Sequence, residues 1–286
     1  KLTYTSLTKK LPAELLDDES FWNILHYEDY VLFQSLKRIY IYNLSDESFK
    51  IIDAPSKRAA IFNLENTIYF QKTNKGLFKI DNGEAILVSN DNVLKNQVIV
   101  GAFSINKKPL FLTDKGAFYF FENDVLSPWN MSTSEILKSK NIYSSIRLSD
   151  GSFILGTISN GIYHIDKNGA LIQNINKEKG LLNNTVLYVF EDKNNNVWLG
   201  LDNGLCVIHL ESPFRYYNDT KGNLGSVYTS IVYKNNLYVG TNQGLFYKPY
   251  DFNNELQFIK GTEGQVWRLK VIENTLFCGH NSGTLV

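Results

Sequence analysis

The chain has 286 residues with 29 basic and 29 acidic side chains, so its formal net charge is zero. Phosphate binding draws on a surplus of Lys and Arg, so this balance excludes a generally basic nucleic-acid binder. Hydrophobic residues at 43% and charged residues at 20% exclude a disordered chain, and no run approaches the ~18 apolar residues that would cross a bilayer.

The opening Lys1-Leu2-Thr3-Tyr4 has neither an initiator Met nor the charged-then-apolar layout of a signal peptide. It reads as a mature or trimmed segment, and its ends do not reveal localisation. Seventeen Tyr, eighteen Phe and nineteen Gly stand beside one Met and six Pro. Aromatic residues suit pleated, packed surfaces and Gly suits the turns between them, so the composition points to β structure.

In chain order, one pattern recurs. Val31-Leu32-Phe33 leads to Lys37-Arg38-Ile39-Tyr40, a degenerate first copy with Arg38 where later copies carry Gly. Ile68-Tyr69-Phe70 leads to Gly76, Leu110-Phe111-Leu112 to Gly116, and Phe153-Ile154-Leu155 to Gly161. Val197-Trp198-Leu199 leads to Gly204, Leu237-Tyr238-Val239 to Gly244, and Leu276-Phe277-Cys278 to Gly283. The six glycines are 40, 45, 43, 40 and 39 residues apart.

Each copy reads as four short strands. In the fifth these are Val186 to Phe190, Val197 to Gly200, Leu205 to Leu210 and the segment Phe214-Arg215-Tyr216-Tyr217. Four strands in about 40 residues make one propeller blade. The repeated Gly supplies the positive φ of a tight turn. The second strands are apolar without alternation, as expected where both faces are covered. Only Thr133 to Lys140 and Ala13 to Asp18 read as helical.

The expected fold is therefore all-β, a single seven-bladed β-propeller of four-stranded blades. Its repeats fall near 21–58, 59–97, 98–141, 142–185, 186–226, 227–264 and 265–286 with 1–20. Either Leu2 to Leu7 supplies the fourth strand of the last blade and removes an open edge, or the chain is cut from a longer multi-propeller ectodomain.

Gly180-Leu181-Leu182-Asn183-Asn184-Thr185-Val186, with Phe190-Glu191-Asp192, Asn196-Val197-Trp198-Leu199-Gly200 and Asn203-Gly204-Leu205, resembles the two-component regulator propeller repeat. Tyr238 to Leu245 and Cys278 to Gly283 follow the same pattern; the first three copies lack its second-strand Gly. The resemblance implies the periplasmic sensor region of a bacterial hybrid two-component or one-component regulator. In that family an immunoglobulin-like triple-tyrosine domain, a membrane helix and a signalling or DNA-binding output follow the propellers. The resemblance implies an adjacent propeller or the immunoglobulin-like domain as partner; an oligosaccharide ligand and a second copy in a homodimer are also expected. No nucleic acid is expected on this segment.

No Gly-x-Ser-x-Gly elbow, His-Glu-x-x-His pattern or Gly-Lys-Ser phosphate loop occurs in the chain. No enzyme activity, cofactor or metal is expected. His26, His164 and His209 read as packing or edge residues, whereas His280 sits in a second-to-third-strand turn and stays a binding candidate. Asp192 to Asn196 mimics the start of a calcium loop, but Val197 and Asn203 replace its required Gly and Glu. Cys206 and Cys278 lie two blades apart, beyond the ~7 Å reach of a disulfide, and read as buried thiols.

Trp198 reads as blade packing. Trp22, Tyr143, Tyr228 and Trp267 share the second position of their first strands, which line the axis. Two readings stand: these aromatics fill the wedges between blades, or they form platforms at the channel mouth. In the second reading Gln34, Gln71, Asn203, Asn242, Gln243 and Arg268 join His280 as polar partners for a sugar, whose C–H groups pack on aromatic faces. Two functions follow: a non-catalytic sensor of glycan-derived ligands, or an interaction scaffold that binds no small molecule.

Overall fold

The computed structural model describes residues 5–12, 15, 19–212, 214, 216–217, 219, 222–250 and 254–286. Its apolar runs fold into seven antiparallel sheets, each a meander in chain order. The first sheet is β1 (Asn23–Tyr27), β2 (Tyr30–Gln34), β3 (Arg38–Asn43) and β4 (Phe49–Asp53). The second is β5 (Ile61–Leu64), β6 (Thr67–Lys72), β7 (Gly76–Asp81) and β8 (Glu84–Ser89). The third is β9 (Ile99–Ile105), β10 (Lys108–Thr113), β11 (Phe118–Glu122) and β12 (Val125–Pro128).

The fourth sheet is β13 (Ile142–Arg147), β14 (Phe153–Thr157), β15 (Ile162–Ile165) and β16 (Leu171–Ile175). The fifth has three strands, β17 (Val186–Glu191), β18 (Val197–Leu201) and β19 (Leu205–Ile208). The sixth is β20 (Val227–Tyr233), β21 (Asn236–Thr241), β22 (Leu245–Pro249) and β23 (Gln257–Phe258). The seventh is β24 (Val266–Ile272), β25 (Thr275–His280) and β26 (Gly283–Leu285). This is a seven-bladed β-propeller.

The turns follow the chemistry read from the repeat. All six repeated glycines have positive φ, from 70° at Gly161 to 146° at Gly244. In the first sheet Ser35 does the same work by a different bond: its Oγ accepts the N–H groups of Lys37 and Arg38 at 3.0 and 2.9 Å. The first-to-second-strand hairpins turn on left-handed pairs such as Glu65-Asn66, Lys234-Asn235 and Glu273-Asn274, the backbone that matches strand twist.

Separate apolar clusters join neighbouring sheets, the largest between the third and fourth around Phe103, Phe118 and Phe153. Others join the first to the second, the second to the third, the fourth to the fifth and the sixth to the seventh. Among the described residues none joins the fifth to the sixth. A cleft of 780 Å³ lies there instead, lined by Leu182, Cys206, Ile208, Leu210, Val227 and Val239 among others.

Several expectations are corrected. Phe214, Tyr216 and Tyr217 belong to no strand, so the predicted fourth strand of the fifth blade does not form there. The third strand of that blade ends at Ile208, leaving His209 just outside it. Cys206 is only half-buried, although both thiols are free as expected.

A helical turn is found at α2 (Ser134–Leu137), as predicted, but also at α1 (Val93–Asn96) and, as 3-10 turns, at Thr8–Lys10 and Lys177–Lys179. Most of the Ala13 to Asp18 stretch lies outside the described residues. So does the start of the predicted closing strand, Leu2 to Tyr4, while Thr5–Leu7 are in no strand.

Candidate functional site

The second-to-third-strand turns and the fourth-to-first connections share one side of the molecule, where backbone bonds tie them together. Ile142 N–H donates to the Asp114 carbonyl, Asn242 N–H to Ser226 and Asn281 N–H to Gln265, all at 3.0 Å. On this side the first strands begin, and in five sheets they begin with a β-bulge. In the seventh, Val266 pairs with His280 and Arg268 with Gly279, so Trp267 is the extra residue. Tyr143, Tyr228 and Leu187 occupy the same bulge in the fourth, sixth and fifth sheets, and Val100 in the third. A bulge re-aims its extra side chain away from the ladder.

The bulges bring one predicted pair together. Tyr228 and Trp267 stack with ring centroids 4.6 Å apart and planes 17° from parallel, and they stay 41% and 50% exposed. Two apolar faces are thus held open to solvent on adjacent blades. Arg268 beside them is exposed.

Trp22 lies one residue ahead of β1, without a bulge, and is 63% exposed. Its N–H donates to the Gln34 carbonyl at 2.9 Å.

Tyr143 serves a different contact, which sequence reasoning missed. Arg58, from the connection between β4 and β5, lays its guanidinium over the Tyr143 ring, 4.0 Å from the centroid. Its Nη2–H donates to the Tyr143 carbonyl. A residue between the first and second blades therefore reaches the first strand of the fourth. No sequence signal couples positions 85 apart in the chain.

The amide candidates divide. Gln71 is buried and fully engaged: Nε2 donates to the carbonyls of Leu94 and Gln97, and Oε1 accepts Ile99 N–H, each at 2.9 Å. Gln34 is completely buried, and neither of its amide atoms has a partner. Both side chains are therefore buried rather than presented at the mouth as expected.

Asn242 Oδ1 accepts Ser226 N–H at 2.7 Å and so braces a connection, whereas Asn203 and Gln243 are exposed on their turns. His280 Nδ1 lies 2.6 Å from Ser282 Oγ and Nε2 lies 3.2 Å from the Glu263 carbonyl, so the ring fastens its turn to the neighbouring connection.

Trp198 is half-buried as packing, and its indole N–H donates to Asp192 Oδ2 at 2.8 Å. Asp192 Oδ1 also accepts Asn194 and Asn196 N–H at 2.8 and 3.0 Å. These bonds, the Trp198 one foremost, hold its carboxyl well below the usual carboxylate range. His164 is buried with Nε2 3.0 Å from Ser152 Oγ. Among the described residues no group of three or more His, Cys, Asp or Glu side chains is placed to hold a metal.

Repeated meander blades with a bulged start to most of their first strands define a β-propeller. The model of the two component regulator propeller family matches residues 180–203, where the fifth copy begins. Among curated proteins none matches the chain.

Among solved structures the fold is similar to the extracellular domain described as that of a hybrid two component system from B. thetaiotaomicron. The likeness has 15% identity and a TM-score of 0.58, over 96% of this chain and 39% of that one. It is also similar to the extracellular domain of a one component system from the same organism, at 16% identity and TM-score 0.54, over 91% of this chain and 39% of that one. The WD40 propeller domain of Doa1 matches at 8% identity and TM-score 0.50, over 93% and 92%. The chain thus spans well under half of the two regulator domains. Among the described residues no helix is long and apolar enough to cross a membrane.

Proposed function

We propose that the chain is a non-catalytic sensor propeller in the periplasmic part of a membrane-anchored bacterial regulator, and that its turn-and-connection face binds a glycan-derived ligand. The observation that carries this reading is the Tyr228–Trp267 stack, held on successive bulges with both rings open to solvent. Aromatic faces of this kind pack against sugar C–H groups while neighbouring polar groups bond hydroxyls. The regulator propeller repeat at 180–203 supports the sensor role. Among the described residues the mouth presents exposed aromatic, amide and guanidinium groups at Trp267, Asn203, Gln243 and Arg268.

The test is Trp267→Ala with Arg268→Ala, titrated with an oligosaccharide panel by calorimetry, with signalling measured in the full-length receptor. The expected result is lost binding and lost output at an unchanged melting temperature. Unchanged binding in the folded double variant would overturn the assignment.

A second reading, the interaction scaffold, is favoured by the apolar cleft between the fifth and sixth sheets, where an adjacent propeller, the immunoglobulin-like domain or a second copy would dock. Under that reading the longer ectodomain binds saccharide and this chain alone does not.

A further inference from the structure

Resting on the sensor reading, we infer that the ligand is an acidic saccharide whose anionic group is bound by Arg58 at the channel mouth.

Arg58 is half-buried and, among the described residues, forms no ion pair. Its guanidinium contacts the Tyr143 ring and carbonyl, while Asp114 acts on it from beyond ion-pair distance. Burial lowers its pKa from the ordinary value, while Tyr143 and Asp114 act in the opposite direction; the group stays charged at neutral pH. A partly desolvated guanidinium with no carboxylate in ion-pair contact gains most from an anion, because charge-assisted, bidentate bonds strengthen as water is excluded.

The residue is also braced. Ser56 Oγ–H donates to the Arg58 carbonyl at 2.5 Å and accepts Arg58 N–H at 3.2 Å, and Lys57 N–H donates to Thr73 Oγ1 at 3.0 Å. The connection is thereby tied to the neighbouring turn, and the guanidinium is presented from a fixed backbone.

The surroundings carry the same sign. On the second-to-third-strand turns and fourth-to-first connections of the first three sheets lie Lys37, Lys57, Arg58, Lys75, Lys95, Lys115, Lys138 and Lys140, against Asp91, Asp114 and Glu135, of which Asp114 pairs with Lys115 and Glu135 with Lys138. Glu19 and Asp53, on the same side, are both paired with Arg38. Among the described residues, these turns and connections therefore carry an excess of positive charge in a chain of zero net charge. The two residues of the Tyr228–Trp267 stack sit at the start of their strands on the same side of the molecule.

The experiment compares a uronic-acid oligosaccharide, its methyl ester and a sulfated oligosaccharide by calorimetry on the 286-residue chain at two salt concentrations. The acid is expected to bind about tenfold more tightly than the neutral ester, with a preference that shrinks at high salt. Arg58→Gln should abolish that preference and Arg58→Lys should retain part of it, with melting curves confirming that both variants fold. Tighter binding of the sulfated sugar, again lost in Arg58→Gln, would support the inference with sulfate as the anion.

Equal binding of acid and ester, or a preference that survives in Arg58→Gln, would overturn it and leave the sensor reading standing. Binding of no saccharide in any arm would overturn both.

Discussion

Gly156 of β14 faces Val186, the first residue of the next sheet, so closely that a Cβ on the glycine would fall 2.8 Å from Val186 Cγ1. Gly240 meets Val266 in the same way, at 2.4 Å. Both valines are 0% exposed. Gly200 is their counterpart in the fifth copy, but a Cβ there would meet only Tyr188, and the corresponding Val227 is 54% exposed.

Gly156→Ala and Gly240→Ala should each destabilise the protein by about 1–3 kcal/mol, the usual cost of overpacking. Gly200→Ala should lie within about 0.5 kcal/mol of the parent. Chemical denaturation of the three variants checks this. A Gly200→Ala loss matching the other two would mean that the fifth and sixth sheets pack as closely as their neighbours.

The turn glycines are not equivalent. At Gly161 a Cβ would stand 2.1 Å from the Ile175 carbonyl oxygen, whereas at Gly204 the nearest atom is Leu182 Cδ1 at 3.7 Å. Gly204→Ala should cost only the backbone strain of positive φ, about 1–3 kcal/mol. Gly161→Ala should cost more, because a carbonyl on the ladder must also move. The order of the two midpoints is the measurement, and a reversed order would refute the steric account.

Gln71 and Gln34 hold equivalent places in the second and first copies but opposite situations. Gln71 has three amide bonds to the backbone, and Gln34 has none. Gln71→Met should lower stability by about 2–4 kcal/mol, since two buried carbonyls and one N–H lose their partner. Gln34→Met removes an unpaired buried amide and should raise the melting temperature. A fall in both variants would show that Gln34 has a bonding role.

His164 couples the fourth blade to pH. Burial, opposed by Asp150, holds its pKa below the ordinary value. Below about pH 6.5 the unfolded chain takes up a proton that the folded blade resists, so stability present above that pH is lost as pH falls. His164→Gln should flatten this slope. Urea unfolding at pH 7.5 and 5.5 gives the comparison, and identical slopes would place the titration elsewhere.

The mouth was legible in part. Equivalent positions in a repeat share a backbone, so three of the four aromatics read together, Tyr143, Tyr228 and Trp267, fall on the same bulge, which the sequence did not show. Trp22 falls outside that rule because Asn23 pairs directly with Gln34. The buried state of Gln34 and Gln71 was not legible, since an amide at a strand end looks the same whether it meets solvent or the next connection. One-turn helices such as α1 have too few residues to show a period.

The sequence alone determined what depends on local backbone and on repetition: seven meander sheets, left-handed glycines in their turns, and two thiols too far apart to pair. Strand pairing within a hairpin is set by neighbours in the chain, and a 40-residue period multiplies that local signal. Tertiary structure alone decided which blades touch, which amides are buried and where Arg58 lies. Those outcomes depend on atoms brought together across the axis, as when the Arg58 guanidinium settles on a ring 85 residues away.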